Sequence, residues 1–501
     1  MLARIPVHLF GACPVDQSQR NATIAYKPLL RSSAYVDGKW VDAPGGKKID
    51  VTDPFTGGVI SSIPSLEAAQ IHAAIEAAQR AFPEWSRTPA RERGKILRRL
   101  LDLINQHRDD LARLITLENG KPLKEALGEV DYGAGFVEVY AEEGQRALGE
   151  IIPAPVKGRK LYAEREPIGV CVAITPWNFP LAMLTRKFAP ALAAGCTMVA
   201  KPASQTPLAA LALAQLAEEA GVPPGVFSVI TGSAGMIGDI VTKSPIVRKI
   251  SFTGSTEIGV KLMELSAPTI KRLSLELGGN APMLIFDDSD LGTAVDAAMV
   301  AKFRNSGQSC IAANRIYVQK GIYDTFVNTF AQRVGGMKLG DGLEDGTDIG
   351  PLIDDAAVAK VNEHLDEAVA NGAKLLVGGR GEGRMAQPTL LAGVKPDAQL
   401  TREETFGPLA GIIAFESYED AIRLANDTPF GLASYVCSTN VQTINNASRD
   451  IESGMVGVNT GLISTPYAPF GGVKLSGIGR EGSKHGLDEY LNFKYVCHAG
   501  L

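Results

Sequence analysis

The sequence predicts an α/β protein built from two parallel-sheet domains. Two stretches predict it. Between residues 169 and 276 short β-rich apolar runs alternate with helix-period segments, and the alternation resumes from 283 to 459. That rhythm places helices on both faces of a parallel sheet, and such a sheet binds ligands beyond the C-terminal ends of its strands. The composition agrees: 45% of the 501 residues are hydrophobic and 21% charged, as in ordinary globular chains. A chain of this size can bury large cores without metal or disulfide support.

Order is expected from Ala34-Tyr35-Val36-Asp37-Gly38-Lys39-Trp40, where Asp37-Gly38 between apolar residues signals a hairpin. Asp53-Pro54 and Gly57-Gly58 mark a turn before Val59-Ile60. Ile71, Ala74, Ile75, Ala78 and Phe82 recur at helical spacing over 66–82. A second helix is expected over 90–118, ended by Asn119-Gly120 with Pro122 beyond, and a third over 123–146. The first alternating block holds strands at 169–174, 197–200, 226–231, 249–252 and 272–276. Helices at 181–194 and 207–220 lie between them, and Thr253-Gly254-Ser255-Thr256 opens another. The second block holds strands at 283–286, 315–319, 375–377 and 411–415, with helices at 291–305, 323–334 and 354–371. Further elements fall at 418–426, 434–437, 443–451 and 456–459.

Several function classes are excluded. A net charge of −5 gives no electrostatic reason for nucleic-acid binding. No apolar run reaches ~18 residues, so no membrane span is expected. Six scattered cysteines, without a C-x-x-C pair or clustered histidines, predict a reducing compartment and no structural metal. Residues 1–33 carry Arg4, Arg20 and Arg31 against one acid, Asp16, and little periodicity. They read as a flexible extension, with a transit peptide as the alternative. The first reading gives a cytoplasmic location, the second a mitochondrial matrix one.

No phosphate-binding P-loop or G-x-G-x-x-G run is present, but Gly254-Ser255 joins a strand to a helix, where backbone N–H groups can face a phosphate. Cys310, after the small polar run Asn305-Ser306-Gly307-Gln308-Ser309, is either an inert buried thiol or a nucleophile. Glu276, in Leu275-Glu276-Leu277-Gly278-Gly279-Asn280, is a carboxylate in apolar surroundings. Burial would raise its pKa towards that of a general base, and a structural ion pair is the alternative. Asn178 follows a strand and is flanked by Pro176 and Pro180. Its amide can donate to an oxyanion or close an Asx-turn.

Taken together, the segments TPWNFP (175–180), KPAS (201–204), FTGS (252–255), LELGGN (275–280), GQSC (307–310), EETFGP (403–408) and PFGG (469–472) resemble the aldehyde dehydrogenase superfamily in order and spacing. The resemblance covers roughly 34–501. It implies that Cys310 attacks the aldehyde, that Asn178 and the Cys310 N–H hold the oxyanion, and that Glu276 activates the water that hydrolyses the thioester. It assigns Lys187 and Glu481 to a proton relay. It places Lys201, Pro202, Ala203, Ser204, Gly254, Ser255, Trp177, Asn178, Leu277, Glu404 and Phe406 along a nicotinamide dinucleotide. Ser204 stands where NAD-preferring members often carry Glu; a small neutral residue near Lys201 implies NADP preferred and NAD tolerated.

Arg186, Arg304 and Ser464 resemble the carboxylate-binding residues of the succinate-semialdehyde dehydrogenase branch. An ω-carboxylate suits the planar fork of an arginine, and the alternative is that each arginine pairs with a structural acid. The expected reaction is NAD(P)-dependent oxidation of succinate semialdehyde in 4-aminobutyrate breakdown. Glutarate semialdehyde, another small aldehyde, or a non-enzymatic homologue are the alternatives. Some branch members carry a second Cys two residues after the nucleophile as a redox switch; here that position is Ala312. Family architecture implies a cofactor domain (34–146 and 166–278), a catalytic domain (279–484) and a small β oligomerisation segment (147–165 and 485–501), hence a homodimer or homotetramer without metal.

Overall fold

The computed structural model describes residues 17–500. Five parallel strands form the middle of an eight-stranded sheet, in the order Arg272–Glu276, Val247–Thr253, Val170–Ile174, Thr197–Lys201, Phe227–Val229. The chain builds outward from Val170–Ile174 in one direction, then returns to its other side with Val247–Thr253. The border between those two strands is a topological switch point, where an open α/β sheet forms its ligand crevice. Segments 175–180 and 254–255 leave the sheet on either side of that border. The hairpin Ala34–Val36/Lys39–Val41 closes one edge, with Asp37 and Gly38 at φ 53° and 73°, the pair of positive φ values a tight hairpin requires.

The second sheet has seven strands, in the order Lys374–Val377, Thr389–Ala392, Leu409–Phe415, Ala313–Gln319, Ala281–Ile285, Ala433–Cys437, Met455–Val458. All its pairings are parallel except the first. A smaller antiparallel sheet joins Glu150–Ile152, Arg159–Pro167 and Leu491–Ala499, as the resemblance implied for these segments. Leu148, Ile151, Phe493 and Tyr495 stand exposed on or beside it. The architecture is the mixed α/β arrangement of two parallel-rich sheets and a small antiparallel one that the sequence implied.

Two expectations need correction. The helix expected over 90–118 is two helices, Ala90–Gln106 and Arg108–Asn119, separated at His107 (φ −106°, ψ 22°). The apolar period continues through the break because both helices face the same core, so periodicity could not reveal it. Residues 17–33 are not a floppy extension. They include the helix Gln17–Ala22, and Arg20 is buried between Asp53 and Asp341. Two carboxylates from distant loops satisfy that guanidinium, which no local pattern announces. Residues 1–16, the rest of the expected extension, lie outside the described residues. Among the described residues no helix is long and apolar enough to cross a membrane.

Candidate active site

Every residue of helix Ala182–Ala194 is buried, including Arg186 and Lys187. Buried cations need partners. Both find Glu481: Arg186 Nε lies 2.5 Å from Glu481 Oε2, and Lys187 donates to Oε1. Lys187 also donates to Thr253 Oγ1 at 2.7 Å. Burial alone would raise the Glu481 pKa, but the two cations and the Ser251 hydroxyl bring it down to about 2. The Arg186 ion pair is close but off-line for hydrogen bonding, so its guanidinium has N–H groups without an acceptor among the described residues. Arg186 therefore does have an acid partner, as the alternative reading allowed. Arg304 forms no ion pair among the described residues, though the Glu125 charge acts on it, and it lies over the Phe179 ring at 5.0 Å.

The turn before Cys310 is held in an unusual shape. Asn305, Ser306 and Gly307 have φ of 54°, 55° and 74°, and such left-handed non-glycine residues persist only when surroundings over-determine them. Here they do. Asn305 Nδ2 donates to Asn178 O (2.9 Å) and Gln308 O (3.1 Å), Asn305 N to Glu125 Oε2 (2.7 Å), and Ser306 Oγ to Gly350 O (3.1 Å). A Cβ on Gly279 would sit 2.3 Å from Cys310 O, so the LELGGN turn needs glycine to approach the Cys310 backbone. Asn178 Nδ2 donates to Gln308 O at 3.0 Å, which ties the oxyanion candidate to the same turn.

A cavity of about 230 Å³ gathers these parts. Cys310, Asn178 and Glu276 line it, with Arg186, Arg304 and Ser464. Trp177, Gly254, Ser255, Leu277, Glu404 and Phe406 complete another part of its wall. Lys187 and Glu481 stand behind Glu276 and Arg186 rather than on the wall. Lys201, Pro202, Ala203 and Ser204 lie outside the cavity, where Thr197–Lys201 ends. The second sheet meets the site with the N-terminal ends of Ala281–Ile285 and Ala313–Gln319, opposite in sense to the first sheet.

The electrostatics separate the two carboxylates. Glu276 is 2% exposed and neither oxygen has a hydrogen-bond partner among the described residues. Burial, then the charge of Glu481, pushes its carboxyl well above the usual range. Burial also pushes the Cys310 thiol up to about 12, aided by Glu404 and Glu276 and opposed by Arg186. Below that value thiolate grows tenfold per pH unit, and the thiolate is what an alkylating agent meets. Iodoacetamide modification of Cys310 in cofactor-free protein is therefore expected to accelerate about tenfold per unit from pH 7 to 9, read by peptide mass spectrometry. A rate flat over that range would mean the thiol is already ionised.

The dinucleotide residues pass a fit test on this structure. Lys201 is 7% exposed with no acid partner among the described residues, a buried cation suited to ribose or phosphate oxygens. Helix Thr256–Ser266 starts beside Gly254-Ser255, so its N-terminal N–H groups face the cavity rim. A Cβ on Gly254 would lie 2.4 Å from the Phe252 ring, which explains glycine there. Burial raises the Glu404 carboxyl to about 7, and Gly279 N donates to it at 3.4 Å. Phe406, at φ 55°, packs edge-on to Trp177 at 5.4 Å.

Sequence reasoning missed a supporting group. Lys121 Nζ donates to Glu129 Oε2 (2.5 Å) and Asn178 O (2.7 Å), and lies 4.0 Å above the Phe179 ring. Glu129 Oε1 accepts from Leu181 N and Ala182 N at the start of helix Ala182–Ala194. Asn119 Nδ2 holds Trp177 O at 3.0 Å. These side chains pin the TPWNFP segment from below. Glu129, an acid within the apolar pattern of helix Leu123–Glu143, was the signal that could have found them. Tyr132, also on the cavity wall, gave no signal beyond a core aromatic, while Phe470 stood in the PFGG segment without being singled out.

Comparison with known proteins gives the family and the fold. The model of the aldehyde dehydrogenase family matches residues 40–496. The chain is 54% identical over 472 residues to the Escherichia coli succinate-semialdehyde dehydrogenase (NADP(+)) GabD, covering 94% of this chain and 98% of that protein. It is 53% identical over 476 residues to a glutarate-semialdehyde dehydrogenase of Pseudomonas aeruginosa, covering 94% and 99%. The crystal structure of succinate-semialdehyde dehydrogenase from Burkholderia pseudomallei superimposes with a TM-score of 0.94 at 51% identity, covering 95% of this chain and all of that one (100%).

Proposed function

Because this chain belongs to the aldehyde dehydrogenase family, and acts as an NAD(P)-dependent aldehyde dehydrogenase, we propose that its substrate is a short semialdehyde bearing a carboxylate at its far end. Succinate semialdehyde is the first choice and glutarate semialdehyde the second. One observation carries the proposal: Arg304, a half-buried cation that forms no ion pair among the described residues, opens onto the cavity that holds Cys310. Arg186 and Ser464 border the same space. The Glu125 charge acts on Arg304 without pairing it, so its guanidinium fork is free to bind a substrate carboxylate where a neutral aldehyde offers no such contact. One methylene is worth only ~1–3 kcal/mol in such a pocket, so a glutarate-sized substrate remains a real competitor.

In this reading Cys310 Sγ attacks the aldehyde carbon, while the Asn178 amide and the Cys310 N–H donate to the oxygen as it becomes negative. NAD(P), when bound, supplies the hydride acceptor. Glu276, held basic by burial, takes a proton from the water that attacks the thioester. Lys187 and Glu481 stand behind it to pass that proton on. Lys201 and Ser204 would meet the adenosine ribose, Ser255 the pyrophosphate and Glu404 the nicotinamide ribose. With no carboxylate at position 204, NADP is the expected cofactor; equal kcat/KM for NADP and NAD would refute that. The exposed apolar residues of the three-stranded sheet suit contact with a second copy of the chain.

The test is steady-state oxidation of succinate semialdehyde, glutarate semialdehyde and butanal by the wild type, Arg304→Ala and Arg186→Ala. A charge-assisted hydrogen bond is worth about 1.5–3 kcal/mol, so each variant should raise KM about 10- to 100-fold for the semialdehydes. KM for butanal should barely move. Parallel losses on all three substrates would show that the arginines serve the fold, not the carboxylate.

A further inference from the structure

Helix Leu291–Phe303 carries a lysine, Lys302, in its last turn, and the side chain is fully buried. Among the described residues it forms no ion pair, and its one hydrogen bond, at 3.3 Å, goes to Asn314 Oδ1. A cation in a dry interior is costly unless it has a partner or a role. Burial lowers the Lys302 pKa to about 7, and the Glu404 charge acts against that fall. Burial raises the Glu404 carboxyl in turn, and Lys360 and Lys302 are the cations that oppose the rise.

Asn314 carries the contact onward. Its Nδ2 donates to Leu400 O at 2.7 Å, to Glu403 O at 2.8 Å and to Asn280 Oδ1 at 3.0 Å. Asn280 Nδ2 donates to Thr401 O at 2.7 Å. Lys302, Asn314 and Asn280 are each at most 3% exposed. The carbonyls they hold belong to the short helix Gln399–Arg402 and its end, where the last carbonyls have no partner within the helix. Two side-chain amides therefore grip the stretch that leads directly into Glu404. From the other side Gly279, next to Asn280, donates its N–H to Glu404 Oε1 at 3.4 Å. The carbonyls need the NH₂ end of the Asn314 amide, so its oxygen must point away from them. A buried amide oxygen needs a donor of its own, and Lys302 is that donor.

We propose that Lys302 is a positioning residue for the cofactor: through Asn314 and Asn280 it fixes the segment that presents Glu404 to the nicotinamide ribose. The inference rests on Glu404 meeting that ribose. Lys302 does not line the cavity, so it acts through its neighbours. It keeps the Asn314 amide in the one orientation that grips residues 400–403. A carboxylate held in place before the cofactor arrives binds it without the entropy cost of ordering its segment. Without Lys302 the Asn314 oxygen is left bare, the amide is free to turn, and the grip on the segment loosens.

The experiment measures the Kd of NADP, and again of NAD, by quenching of protein fluorescence. The proteins are wild type, Lys302→Met, Asn314→Leu, Glu404→Gln, and each of the first two variants combined with Glu404→Gln. Met and Leu keep roughly the shape of the side chains they replace and remove their hydrogen bonds. Each single variant should bind about tenfold more weakly than wild type. Each double variant should bind no more weakly than Glu404→Gln alone, because Lys302 and Asn314 act through that carboxylate. A merely structural role would weaken both backgrounds alike, leaving the double variants about a hundredfold weaker than wild type. That additivity, or a wild-type Kd in Lys302→Met, would overturn the proposal. If Lys302→Met does not fold, Asn314→Leu decides by the same two criteria. A wild-type Kd in Glu404→Gln would remove the ribose assignment and the proposal with it. Weak binding by Glu404→Gln beside wild-type binding by Lys302→Met would leave the assignment standing and the proposal refuted.

Discussion

Cys310→Ala is expected to abolish NAD(P)-linked aldehyde oxidation, with kcat/KM down by about 10⁴-fold or more, because among the described residues no other thiol lines the cavity to form the covalent adduct. The substitution removes a single sulfur atom. The turn that presents it is shaped by Asn305, Ser306 and Gln308 through bonds that do not involve the thiol, so the thermal midpoint should stay where it is. Cofactor binding, followed by protein fluorescence quenching, should also survive. Oxidation at even a hundredth of the wild-type rate in a preparation free of wild-type protein would show that another group performs the attack.

The second large effect belongs to Asn178. Asn178→Ala should lower kcat about 10²- to 10³-fold, the usual consequence of removing one oxyanion donor, while KM changes little. The variant is informative because side chain and backbone of Asn178 have separate duties. Its carbonyl accepts from Lys121 and Asn305, and those bonds survive truncation of the side chain. Only the Nδ2 donor that reaches towards the Cys310 turn is lost. Comparable losses in kcat and in thermal stability would assign the residue to the fold instead.

Much of the fold was legible. Strand Arg272–Glu276 and helix Tyr418–Asn426 end where the sequence placed them, because turn residues and apolar periods are local signals. The short strands Thr389–Ala392 and Gly477–Ile478 went unread, since four and two residues are too few to establish a period. The break at His107 was missed because the apolar stripe crosses it unchanged. Arg20 shows the opposite failure: a segment poor in periodic signal is ordered by one buried cation between two acids.

The site divides the same way. Cys310, Glu276 and Asn178 were singled out by local chemistry: a thiol after a small polar turn, a carboxylate in an apolar run, an amide between prolines. Each had a bland reading that local sequence could not dismiss, and only the motifs in register moved the balance. Lys121 and Glu129 were passed over, since a lysine in a turn and a glutamate on a helix look in sequence like two surface charges.

By itself, then, the sequence determined the alternation of strands and helices, the glycine turns that bring backbone against backbone, and the residue types available for chemistry. These are decided within ten or twenty residues by periodicity, φ preference and side-chain pKa. The tertiary structure alone decided that Asn178 meets a turn 130 residues away, that Arg186 is paired with Glu481 while Arg304 forms no ion pair, and that buried Lys249 meets Ser274 while Ser251 meets Glu481. Those outcomes depend on strand order and on which partner a buried charge finds, and low-dielectric burial turns each such meeting into a shifted pKa or an unpaired charge.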